Sequence, residues 1–94
     1  MQKYSEIEIA EKLKELPDWN YEDGAIYREA KFDSFKTTFS IMTRIAFECE
    51  KQNHHPNWTN VYNSLSIHLN THDAGGITEK DFALAKTINT ILNA

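Results

Sequence analysis

Apolar positions recur along this 94-residue chain with two periods, and the switches between them mark its elements. Ile9, Ala10, Leu13 and Leu16 fall at helical spacing and form one stripe. Ser5, with Glu8 three residues on, supplies a capping box at the start, and Pro17, which has no amide proton, ends the helix. Asp18 to Tyr21 reads as a strand, Asp23-Gly24 as a hairpin turn, and Ala25 to Phe32 as the returning strand. In that strand Ile26, Arg28, Ala30 and Phe32 share one side and Tyr27, Glu29 and Lys31 the other. The alternation is imperfect and leaves the register open. Asp33 or Ser34 caps a second helix reaching to about Lys51. Its main stripe is Phe35, Phe39, Met42, Ala46 and Cys49, with Ile45 beside it and Ile41 and Phe47 on opposite flanks. Trp58 to Asn63 and Leu65 to Asn70 supply two more strands. In the latter Leu65, Ile67 and Leu69 face the core, while Ser66, His68 and Asn70 face away. A final helix starts at Thr78 and packs Phe82, Ala85, Ile88 and Leu92.

The order α-β-β-α-β-β-α predicts an α+β fold over residues 1–94. It is a single-domain sandwich in which three helices cover one face of a four-stranded antiparallel sheet. The apolar flanks of the second helix, Ile41 and Phe47, fit either a subunit contact or two tolerated surface residues, with equal weight. Composition narrows the function classes. Acidic residues outnumber basic ones, 14 to 10, for a net charge of -4, which disfavours a nucleic-acid surface. The longest apolar run, Phe82 to Ala85, is too short to cross a bilayer, and the first residues lack a signal-peptide core. Cys49 is the single cysteine, so no intrachain disulfide forms and a cytoplasmic location is expected.

Candidate chemistry is concentrated between Asn53 and Asp81, which hold all four histidines. Histidine both gives and takes protons near neutrality. His54 and His55 precede Pro56, which holds His55 extended, so the two rings point to opposite sides and each lines a different wall. His72 lies just after a strand and just before Gly75-Gly76, at a loop position where catalytic groups are common. The two glycines read as a tight turn in preference to an anion cradle. His68, mid-strand on the polar face, reads as surface. Asp81 falls within the apolar arc of the last helix. One reading makes it the capping-box partner of Thr78, another a carboxylate at the cleft edge that orients His72 or a substrate amide, and both can hold. Neither the helical histidine pair nor the cysteine pair of zinc hydrolases is present, which favours metal-free acid-base chemistry. Cys49 belongs to an apolar stripe and reads as inert core.

These residues carry a resemblance. E-K-Q-N-H-H-P-N-W, then V-Y-N, the alternating strand and T-H-D-A-G-G-I-T-E-K-D, resemble pterin-4a-carbinolamine dehydratase, most specifically from Phe39 to Leu84. The resemblance implies elimination of water from 4a-hydroxytetrahydropterin to give quinonoid dihydropterin, in tetrahydrobiopterin recycling and without a cofactor. It places the family's catalytic histidines on His54, His55 and His72 and its site carboxylate on Asp81. His54 and His72 would carry the proton transfers, and His55 and Asp81 would bind or orient the pterin. Trp19 and Trp58 would supply an apolar or stacking wall, with core packing expected for at least one, and Pro56 would border the pterin. It further implies a homodimer or homotetramer. A binding-module reading stands beside the enzyme, as a dimerisation cofactor of a transcription factor, together with a role in molybdopterin metabolism.

Overall fold

Two tight hairpins build the sheet. In the computed structural model, which describes residues 1–93, β1 (Asn20–Glu22) turns into β2 (Ala25–Lys31) and β3 (Asn57–Val61) into β4 (Ser64–Leu69). Asp23 and Gly24 take φ of 51° and 78°, the left-handed pair of a two-residue turn whose twist matches the flanking strands. At the second turn Tyr62 takes φ 52°, and the Asn60 side-chain amide donates to the carbonyls of Tyr62 (3.0 Å) and Ser64 (2.9 Å), holding that turn without a glycine. The strands pair antiparallel in the order β1-β2-β4-β3. Three helices, α1 (Glu6–Leu13), α2 (Phe35–Gln52) and α3 (Glu79–Leu92), complete the expected α-β-β-α-β-β-α order, with a 3₁₀ turn at His72–Ala74 before α3.

The pairing places Ile26 opposite Leu69, Arg28 opposite Ile67 and Ala30 opposite Leu65. Ile26, Leu65, Ile67 and Leu69 are buried with Ile45 and Cys49 of α2 and with Phe82, Leu84, Ala85 and Ile88 of α3. Burying one such aliphatic side chain contributes about 1.5–3 kcal/mol. Arg28 interrupts the alternation because its guanidinium donates to Asn89 Oδ1 (2.6 Å) on α3, an oxygen that also accepts from the Trp19 indole (2.7 Å). The half-buried guanidinium and the indole of Trp19 thereby find an acceptor. The outer face carries Tyr27 opposite His68, with the rings stacked 5.4 Å apart, and His68 is exposed as expected.

Several boundaries differ from expectation. The capping box at Ser5 and Glu8 forms, but α1 ends at Leu13, ahead of Pro17, and Ala10 is exposed. The chain continues in three-residue turns, with the amides of Leu16 and Trp19 bonded to the carbonyls of Leu13 and Leu16, so β1 starts at Asn20 instead of Asp18. Ser34, not Asp33, caps α2. The buried stripe of α2 is Thr38, Ile45 and Cys49, rotated roughly 60° from the expected one. Thr38 is tolerated inside because its hydroxyl donates to the Ser34 carbonyl at 2.7 Å. Phe35 and Phe39 are left 48% and 54% exposed with their rings paired at 5.7 Å, Ala46 is exposed, and Phe47 is 71% exposed. Ile41 is half-buried and packs against the core.

Candidate active site

The end of α2 sets the position of the first histidine. Asn53 adopts the left-handed conformation (φ 53°), which asparagine tolerates better than most residues. The His54 amide then reaches back to the Cys49 carbonyl (3.0 Å), closing the helix with a six-residue cap. After this reversal the adjacent histidines diverge. His54 is only 8% exposed, and its Nε2 lies 2.6 Å from Asp81 Oδ1. His55 points outward, its Nε2 2.6 Å from Glu50 Oε2, and both partners are exposed.

Asp81 is completely buried. It sits at the third position of α3, where its Oδ2 accepts from the Thr78 amide (2.8 Å) and from the Thr71 hydroxyl (2.8 Å). The capping-box reading therefore holds in full, alongside a side-chain contact to a histidine. That histidine is His54 and not His72, and the carboxylate lies inside the fold instead of at a cleft edge. As a carboxylate Asp81 only accepts, so the proton shared with His54 belongs to Nε2. Nδ1 of His54 has no protein partner among the described residues. No buried side-chain nitrogen or oxygen among them is without a hydrogen bond, so Nδ1 must open to solvent. The outcome is an imidazole held from behind by a buried carboxylate, its second nitrogen free of a side-chain partner and with some access to solvent, an arrangement suited to taking and returning a proton.

His72 begins the 3₁₀ turn after β4 and is exposed. Its neighbour Thr71 closes that turn through its backbone, donating to the Gly76 carbonyl (2.8 Å) and accepting from the Ala74 and Gly75 amides. Gly75 ends the turn at φ 73°, a conformation that a side chain would strain. Since the Thr71 hydroxyl touches Asp81, the fold brings the His54 and His72 segments to one carboxylate. Trp19 is elsewhere. It is buried, and its N–H is engaged by Asn89, eight residues (roughly 12 Å) along α3 from Asp81. Trp58 is half-buried against the core, opposite Ile67, two residues after the half-buried Pro56. Cys49 is buried, and desolvation raises its thiol pKa above the ordinary 9.0.

Sequence reasoning missed Glu50 and Thr71. Glu50 meets a residue five positions on because the left-handed Asn53 folds the chain back. Thr71 and Asp81 meet only across the turn and the start of α3. Neither contact leaves a periodic mark in the sequence.

Among the described residues, no three of histidine, cysteine, aspartate and glutamate are grouped to hold a metal ion, and no helix is long and apolar enough to cross a membrane. A groove of about 470 Å³ runs between α2 and α3, lined by Arg44, Phe47, Glu48, Thr87, Thr90 and Ile91. It contains none of His54, His55, His72 or Asp81, so the chemistry and not this groove locates the candidate site.

Comparison with known proteins agrees with the motif. A family model described as pterin 4 alpha carbinolamine dehydratase matches residues 2–91. A Christiangramia forsetii protein, provisionally named pterin-4-alpha-carbinolamine dehydratase, is 53% identical over 94 residues, covering 100% of this chain and 97% of its own. A Rhizorhabdus wittichii protein of the same provisional name is 48% identical over 86 residues, covering 89% of each chain. A crystal structure from Brucella melitensis, described as a transcriptional coactivator/pterin dehydratase, superposes with a TM-score of 0.92 at 39% identity, over 96% of this chain and 98% of that one.

Proposed function

The chain belongs to the pterin 4 alpha carbinolamine dehydratase family, and from that premise we propose that it eliminates water from 4a-hydroxytetrahydropterin to give quinonoid dihydropterin. The observation that carries the reading is the buried His54–Asp81 pair at 2.6 Å, which leaves His54 Nδ1 as the working nitrogen. The reaction breaks the bond from C4a to oxygen, adds a proton to the departing hydroxyl, and removes a proton from a ring nitrogen whose electrons form the new double bond. No electrons are exchanged with a cofactor. In this reading His54 takes the ring proton, and Asp81 behind it stabilises the imidazolium that forms. Asp81 thus acts through His54. His72, on the exposed turn, delivers the proton that makes water. His55, steadied by Glu50, binds the polar edge of the pterin, and Pro56 and Trp58 border it. Positioned acid-base groups contribute roughly 10²- to 10⁴-fold to such a step. The setting is cytoplasmic tetrahydrobiopterin recycling by a homodimer or homotetramer.

The test is direct. Purified protein is mixed with freshly generated 4a-hydroxytetrahydropterin, and formation of the quinonoid product is followed by absorbance. A rate indistinguishable from the spontaneous one would falsify the reading.

A second reading is favoured by the exposed aromatics of α2, Phe35, Phe39 and Phe47. They suit a helix-binding face, through which the chain would act as a dimerisation module, in line with the coactivator half of the Brucella melitensis description. This face and the histidine site share no residue, so one chain can serve both.

A further inference from the structure

Two threonine hydroxyls and the Asp81 carboxylate form a directional chain behind His54. The Thr78 hydroxyl oxygen accepts from the Lys80 amide (3.2 Å), so its own proton is free for the Thr71 hydroxyl oxygen 2.7 Å away. Thr71 in turn donates to Asp81 Oδ2 (2.8 Å), while Oδ1 of the same carboxylate faces His54 (2.6 Å). Each hydroxyl gives one bond and takes one, and the carboxylate takes three, so every proton direction is determined. Thr71 is the joint of this chain. Its backbone closes the turn that carries His72, and its side chain fixes the carboxylate that carries His54.

We infer that Thr71 is a positioning residue that holds His54 and His72 in a single frame, through its hydroxyl to Asp81 and its backbone to the 72–76 turn. The inference rests on the dehydratase reading for its catalytic meaning, but the geometry it describes exists in the resting protein. Removing the hydroxyl leaves Asp81 Oδ2 with one donor and concentrates its charge. The carboxylate is then held by one bond fewer, and the orientation of the ring it carries loosens. Asp81 is the charged group facing His54 from α3. Glu50 is turned outward to His55, and His72 projects from the exposed turn.

The experiment compares Thr71→Val, which keeps the shape and deletes the hydroxyl, with Thr71→Ser, which retains it. Circular dichroism checks the fold, and Thr71→Ala replaces the valine variant if that one does not fold. Two quantities are read: the turnover number against KM for pterin dehydration, and the ¹⁵N nuclear magnetic resonance shifts of the two His54 ring nitrogens, which report its tautomer. The expected result is a turnover about tenfold lower with KM within twofold, loss of the single Nε2–H tautomer signature of His54, and recovery of both in Thr71→Ser. A folded hydroxyl-free variant whose His54 ring-nitrogen shifts match the wild type would overturn the inference, and so would a serine variant no better than valine. If the wild type shows no dehydratase activity, the proposed reaction falls. The ring-nitrogen shifts then still decide whether Thr71 positions His54.

Discussion

His54 and Asp81, 27 residues apart, meet at 2.6 Å in the interior, and Asp81 at the same time caps the helix it belongs to. One carboxylate thus closes the start of α3 and orients the histidine at the end of α2. Asp81→Asn keeps the volume but presents an amide that can offer His54 a proton where the carboxylate only accepts. The ring is then held in the other tautomer, and the turnover number is expected to fall about 10²-fold. Stability should fall by about 1–3 kcal/mol, since a buried hydrogen-bond set is disturbed. Rapid-mixing kinetics and urea denaturation measure the two effects separately.

The histidines are expected to separate into two groups. His54→Ala and His72→Ala should each lower the turnover number at least about tenfold. His68→Ala should leave turnover unchanged, because that ring stacks on Tyr27 on the outer face of the sheet. Equal losses in all three variants would show that the division between site and surface is mistaken.

Metal dependence offers an independent check. Exhaustive chelation is expected to leave dehydration unchanged, and elemental analysis of the purified protein should find no stoichiometric zinc. Activity lost to chelator and restored by zinc would replace the histidine mechanism with a metal one.

Assembly should depend on the outer face of α2. Phe39→Glu and Phe47→Glu place charge on exposed aromatics. They are expected to lower the mass seen by light scattering while the circular dichroism spectrum is retained. Ile41→Glu should behave differently and lower the melting temperature, because Ile41 packs against the core. A wild type that is monomeric at micromolar concentration would remove the basis for this face as an interface.

Cys49 predicts an alkaline weakness. Burial raises its thiol pKa above 9.0 in the folded chain, so the folded state retains the proton longer than the unfolded state does. Below the ordinary value both states are protonated and stability is unaffected. As pH rises past it, the unfolded thiol ionises first and stability falls. The unfolding free energy of the wild type should therefore decline above about pH 9 more steeply than that of Cys49→Ala. Parallel pH profiles for the two proteins would remove the thiol as the cause.

Much of this was legible in the sequence because short-range rules produced it. Asp23-Gly24 announces its turn, Ser5 and Thr78 announce their caps, and Leu65, Ile67 and Leu69 alternate as a half-buried strand should. The α2 face was misread because hydrophobicity alone favours Phe35 and Phe39 over Thr38. What decides is that the Thr38 hydroxyl can bond within its own helix and so be buried. Within the candidate site the histidines and Asp81 stood out as residue types, whereas their pairing did not. Asp81 meets His54 because a left-handed Asn53 reverses the chain, and Thr71 completes the contact from a third segment. Such meetings depend on the whole topology and leave no spacing to read.

The cap that Asp81 places on the Thr78 amide has a consequence for how the molecule breathes. Amides at a helix start are ordinarily among the first to trade their protons with water, because nothing within the helix holds them. Here the amide is tied to the carboxylate that also holds His54, so unravelling of the first turn of α3 and release of the histidine become a single event. Exchange of the Thr78 amide proton therefore reports on the Asp81 carboxylate that holds His54. A change that loosens α3 at its start would therefore free His54 from its carboxylate while most of the core remained intact.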